Sequence, residues 1–289
     1  MRSIDYSRSQ HIAGNSASTA TAAIMAAKKA VADALETNFR PDPILTPEIS
    51  QLLSFASSAA KRHGPLIELG IGNVLECSGL TVLRNQRVPI TRGALALIGS
   101  VDYSRLVGKQ IDFNDNDIVD FVDVDIIAID EPNRWAGAFS VKRGGGQTET
   151  RKRKDGERLL RALNFILSSW LRKQGYGEIE VAAAAVIDYF GQSGFSKDLT
   201  IGRSDLDEYF GLAIVRDVDA MTAAMHTAIE AEMGALLAPI IATIPLVSTK
   251  QAAAKTQLTS APVTKTLLRP RRGAAKHPDG ETFPSDWRH

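Results

Sequence analysis

The hydrophobic positions fall into segments of different period, and the changes of period divide the chain. Ser18–Glu36 is alanine-dominated and free of helix breakers, which predicts a helix. The proline-punctuated stretch Arg40–Ile49 follows as a joint. A second helix is predicted from Pro47 to Lys61, closed by His63-Gly64, and a third over Pro65–Gly79, where Leu66, Leu69, Val74 and Leu75 give an imperfect apolar face. From Leu80 the period shortens. Leu80–Thr91 has the β-branched content and central turn residues of a hairpin. Asp117–Asp130 and Ala136–Arg143 read as two further strands joined by a short loop. Leu159, Leu160, Leu163, Ile166, Leu167, Trp170 and Leu171 then form a wide helical stripe. Glu178–Gly191 has the continuous apolar run of a strand covered on both faces. A last helix, about Asp217 to Ala238, carries Val218, Met221, Met225, Ile229 and Met233 at core spacing. This order predicts an α/β protein with a mixed sheet flanked by helices. The expected organisation is an N-terminal helical extension (1–46), one α/β domain (47–246) and a basic, disordered tail (247–289).

Composition adds little: 289 residues, 44% hydrophobic and 23% charged, describe an ordinary globular protein with a sizeable core. The net charge of +1 makes no global case for nucleic acid, but its distribution is uneven. From Thr249 onward eight basic residues face three acidic ones, a basic arm on a slightly acidic body. The single cysteine, Cys77, rules out an internal disulfide, fits a reducing cytoplasm and excludes a multi-cysteine zinc site. The longest apolar candidate, Leu236–Val247, is too short and too proline-broken to span a bilayer, so no membrane role is expected.

Chemistry concentrates in Asp123–Gly146. If the turn centres near Asn133 and Arg134, Asp125 falls opposite Lys142 within a residue of register, and the two can meet on one face. A carboxylate beside a lysine suits phosphodiester hydrolysis: the acid can hold a divalent metal, and the ammonium can orient water or offset developing charge. A lone pair of this kind is more often a solvated edge-strand contact than a metal site; the order of elements and a carboxylate near the displaced position shift that balance.

These residues, in this order of elements, resemble the PD-(D/E)xK nuclease superfamily, the fold of many type II restriction endonucleases. That resemblance, over about Pro65–Gly191, implies a restriction-endonuclease-like core of helix, three antiparallel strands, helix and strand. The first acid of the motif is Asp125. The second half is Ser140-Val141-Lys142, with serine where the family usually has an acid. A subgroup of restriction endonucleases shares Ser-x-Lys and takes the displaced glutamate from the following helix, about fourteen residues after the lysine. Glu157 lies 15 residues after Lys142 and opens the amphipathic helix; Glu149, in the charged loop, is the other candidate. The family's further glutamate on the preceding helix corresponds to Glu68, with Glu76 as fallback. The resemblance implies Mg2+ (with Mn2+ as substitute) on Asp125 and Glu157, Lys142 orienting the attacking water, and Ser140 in the vacated carboxylate position. It also implies DNA as partner, a homodimer or higher homo-oligomer, and a cognate DNA methyltransferase where the system is one of restriction. The basic run from Lys142 to Arg158 is either a solvated connection or a surface that follows a phosphate backbone.

Two other readings stay open. Ser140 fits a decayed nuclease fold that binds DNA without cutting it. Leu66–Asn73, with Glu68, Gly70 and Gly72, approximates the glycine loop of S-adenosylmethionine-dependent methyltransferases, although Val74 stands at the third glycine.

Overall fold

A five-stranded sheet separates the apolar residues into two cores, one on each face. The computed structural model describes residues 16–37, 41–100, 106 and 108–243. The basic tail falls outside the described residues. The strands β1 (Thr81–Thr91), β2 (Ile118–Asp130), β3 (Trp135–Lys142), β4 (Val181–Asp188) and β5 (Thr200–Gly202) lie side by side in that order. The first three are antiparallel; β3, β4 and β5 are parallel. An antiparallel pair needs only a tight turn, here Glu131–Arg134, closed by the Arg134 N–H donating to the Glu131 carbonyl at 3.0 Å. The parallel step from β3 to β4 needs a crossover, and α4 (Thr150–Lys173) supplies it. The mixed sheet flanked by helices therefore agrees with the order of periods in the sequence.

Helices α1 (Ser16–Leu35), α2 (Pro47–Cys77) and α6 (Ile214–Thr243) cover one face, over Ile126, Phe139, Val141, Ala185 and Ile187. α1 buries Ala23, Ala27, Val31 and Ala34 in this same core, small residues that allow a close approach to its neighbours. The methionine stripe is core as well: Val218, Met221 and Met225 are buried. On the other face α3 (Arg92–Ser100) and α4 pack over Val88, Val124, Ile127, Ala138 and Val186. α5 (Arg203–Phe210) joins β5 to α6 and adds Leu206, Tyr209 and Phe210 to the first core. Among the described residues no helix is long and apolar enough to cross a membrane.

Three expectations are corrected. Pro47–Gly79 is not two helices but one, α2, with Pro65 inside it. A proline in a helix interior costs about 3 kcal/mol. Leu66, Ile67, Ile71 and Leu75 are all buried along one face, each contributing roughly 1.5–3 kcal/mol, so continuity of that face outweighs the break. Pro65 itself is exposed. Leu80–Thr91 is not a hairpin but the single strand β1, because the 13-residue β2 pairs with both of its halves, from Thr81↔Ile129 to Ile90↔Asp120. The turn-like Asn85 kinks the strand instead of reversing it, with φ 51°. The β2–β3 register is also shifted from the expected one: Ile126 faces Phe139 and Asp130 faces Trp135. Carried one step further, it sets Asp125 opposite Ser140, not Lys142.

The continuity of α2 has a measurable consequence. A Cβ at Gly64 meets nothing within 4 Å, so Gly64→Ala is expected to stabilise the protein by about 1 kcal/mol in urea unfolding. Pro65→Ala is expected to stabilise by about 1–3 kcal/mol. A loss of stability in both variants would show that the break, not the continuous helix, is what the fold requires.

Candidate functional site

β2 and β3 part company at Asp125. The last paired residues are Ile126 and Phe139, and beyond them the Asp125 carboxylate takes the place of a ladder acceptor. Its Oδ2 accepts the Val141 N–H at 2.5 Å and lies 3.4 Å from the Ser140 hydroxyl. Lys142 Nζ stands 3.8 Å from the same oxygen. That distance makes an ion pair without a hydrogen bond, so the ammonium retains its donors for another partner. Asp125 and Lys142 side chains are 24% and 38% exposed, enough for a ligand to reach both.

The sheet is built unevenly at this point. Val122 and Val124 face the α4-side core, as do Ile127 and Ile129, while Ile126 and Ala128 face the α2-side core. The alternation of β2 therefore slips at Asp125. β1 slips at the cross-strand position: Leu83 packs on the α4 side and so do Val88 and Ile90, with Asn85 at positive φ between them. Asn85 is the one position between Arg84↔Ile126 and Gln86↔Val124 without a ladder partner. Asparagine tolerates this left-handed backbone better than most residues, and the paired slip turns Asp125 out of the regular pleat.

α2 brings in Glu68. Its carboxyl is held above the usual glutamate range, first by burial and then by the negative charge of Asp125, with Lys142 partly opposing both. Asp125, Ser140 and Lys142 thus stand together, with Glu68 within electrostatic reach. Arg84 fixes α2 over the sheet: its guanidinium lies against Gly72, one turn from Glu68, where a Cβ would collide with it. Arg84 donates to Asn73 Oδ1 at 2.9 Å and pairs with Glu76 at 3.1 Å. Glu76 is therefore part of this clamp.

The two glutamates expected from the far side of β3 are engaged elsewhere. Glu157 Oε1 accepts the Ser196 N–H at 2.8 Å, in the connection between β4 and β5. Glu149 precedes α4 and pairs with Lys152 at 3.1 Å. No hydrogen bond or ion pair joins either one to Asp125 or Lys142. Among the described residues there is no group of three or more His, Cys, Asp or Glu side chains placed to hold a metal. The carboxylates of Asp125 and Glu68, which influence each other electrostatically, are of the donor type that suits a hard cation such as Mg2+.

Sequence reasoning missed Asp188, the register partner of Lys142 at the end of β4. It is buried, and its carboxylate accepts the Gly191 N–H at 3.0 Å, the Ser193 N–H at 2.9 Å and the Ser193 hydroxyl. Gly144, at φ 70°, packs so closely on Asp188 that any side chain there would clash. An acid ending a fully apolar strand was the available signal.

The methyltransferase alternative required a strand followed by a glycine loop at Leu66–Asn73. These residues are helical, and Gly70 instead lets α2 approach Val218 and Met221 of α6.

The raised carboxyl of Glu68 predicts a pH-dependent stability. Because its folded value exceeds the unfolded one, its favourable contribution is complete below the ordinary glutamate range and is lost as pH rises through the folded value. Glu68→Gln should therefore match the parent at about pH 4 and melt higher at about pH 8. A lower melting temperature at pH 8 would show that attraction to Lys142 outweighs burial and Asp125. No protein-family model, curated protein or solved structure matches this chain.

Proposed function

We propose that the protein is a Mg2+-dependent endonuclease that hydrolyses DNA phosphodiester bonds on a restriction-endonuclease-like fold. The observation that carries this reading is the Asp125–Lys142 pair, 3.8 Å apart where β2 leaves β3, with Glu68 of α2 within electrostatic reach. The order α2, β1–β3, α4, β4 supports it, being the helix, three antiparallel strands, helix and strand expected of that core.

In this reading Asp125 and Glu68 would hold the metal, whose chemistry when bound would be Lewis-acid neutralisation of charge at the phosphate. Lys142 donates its free N–H groups to the attacking water or to a phosphate oxygen. Ser140 occupies the position next to Asp125 without adding charge. The Val141 N–H holds the Asp125 carboxylate in one orientation, leaving its other oxygen available. Glu157 has one carboxylate oxygen engaged by the Ser196 N–H and makes no hydrogen bond or ion pair with Asp125 or Lys142. A homodimer is the simplest assembly for cutting both strands.

A second reading has its own support. Ser140 and the engagement of Glu157 with Ser196 leave two carboxylates instead of three, as in a fold that binds DNA but has lost cleavage.

Plasmid incubated with the protein should be nicked or linearised with Mg2+ or Mn2+ and left intact in EDTA. Lys142→Ala is expected to lower the rate at least about a hundredfold while keeping the fold. Asp125→Asn and Glu68→Gln should behave alike, with Glu157→Gln retaining most activity. Unchanged cutting by Lys142→Ala would overturn the assignment, and DNA binding without any metal-dependent cutting would select the decayed fold.

A further inference from the structure

The start of α4 breaks a local rule. The positive end of a helix dipole favours acids in the first turn and disfavours cations. α2, α5 and α6 follow this, with Glu48, Asp205 and Asp217, while α1 and α3 have no acid there and α3 opens on the single cation Arg92. α4 has no acid in its first turn, makes no side-chain cap through Glu149, and opens instead with Arg151, Lys152, Arg153 and Lys154. Four consecutive cations at the positive end of a helix are an electrostatic conflict that a bound polyanion would relieve.

The geometry separates these cations. Arg153 turns inward and lies against Gly194. Lys152 pairs with Glu149. Arg151, Lys154 and Arg158, at spacings of three and four, share one exposed helix face together with a single acid, Asp155. At about 1.5 Å per residue this stripe is roughly 10 Å long, more than the 3.4 Å rise per phosphate of one DNA strand. It is an extended cationic line, not a compact nest for one phosphate. Its far end reaches β2, where Arg158 stands 3.6 Å from Asp120. Its near end follows directly from Lys142 through the glycine loop.

That loop is held. Gly144 sits on the buried Asp188. Arg143 donates to the Ala60 carbonyl at 2.8 Å and so ties the loop to α2. The Thr148 N–H donates to Ser193 at 2.9 Å, and the Phe190 N–H to Arg143 at 3.0 Å. A fixed backbone under mobile lysine and arginine tips reduces the ordering that binding requires.

We propose that Arg151, Lys154 and Arg158, on the exposed face of α4, receive the sugar-phosphate backbone of duplex DNA and lead it to the Asp125–Lys142 site. The choice of DNA as ligand rests on the nuclease reading; the placement of the surface rests on the charges and the held loop. Contacts of this kind fix position without reading sequence.

The test uses the full chain in EDTA, where no cutting occurs, and a fluorescent duplex oligonucleotide. Arg151→Ala/Lys154→Ala should bind at least about tenfold more weakly. Its plot of log affinity against log salt should be shallower by about 2. Its melting temperature should stay level or rise, because a dipole conflict is removed. Lys28→Ala/Lys29→Ala, which removes two exposed cations from α1, should change neither affinity nor slope. Parental affinity and slope in the α4 variant, an equal loss in the α1 variant, or displacement of the duplex by sub-millimolar inorganic phosphate would each overturn the proposal. If the parent never cuts plasmid in Mg2+ yet the α4 variant loses binding, the surface stands and the nuclease reading falls. If the parent cuts and the variant binds as the parent does, the surface alone falls.

Discussion

The hydrogen bond from the Val141 N–H to the Asp125 carboxylate is the interaction on which the candidate site depends. Two antiparallel strands cannot separate inside a protein without leaving backbone donors to be satisfied. Here a side chain of one strand satisfies the donor of the other. The same carboxylate thereby becomes fixed beside Ser140 and Lys142, within electrostatic reach of Glu68. A structural requirement, closing the gap in the ladder, and a chemical one, orienting an acid, are met by one group.

Around this point the fold combines rigidity with electrostatic conflict. Arg84 clamps α2 across Gly72, so the height of Glu68 over the sheet is set. Asp188 and Gly144 fix the exit of β3, so Lys142 ends a strand whose continuation is pinned. Against that frame stand the unfavourable features: two carboxylates close enough for one to raise the other's affinity for a proton, and cations gathered at the positive end of α4. Each is costly in the isolated chain and would be relieved by a ligand, a cation in the first case and a polyanion in the second.

Much of this was readable from residue pattern. The strand pair around Glu131–Arg134, the amphipathic α4, the doubly covered β4 and the core methionines of α6 follow from period and apolar content alone. So does the adjacency of Asp125 and Lys142, since a short turn forces neighbouring strands. Gly64-Pro65 and Asn85 locally disfavour continuing a helix or a strand, yet a buried helix face and a long partner strand carry the chain onward. The shifted turn had the same origin: four residues can close in more than one way, and packing of the strands chose among them.

What the sequence determined by itself was the order of the main periodic segments and which acid and lysine could meet, because those depend on interactions within a few residues or across one turn. Which carboxylates lie near them was decided only by the tertiary structure. Spacing along α4 says nothing about which side of the helix a neighbouring loop will occupy, and the connection into β5 engages one oxygen of Glu157. Glu68, far away in sequence, comes within electrostatic reach of Asp125 because α2 runs unbroken through Pro65 and is held down by Arg84. Long-range packing, which no local pattern encodes, set that proximity.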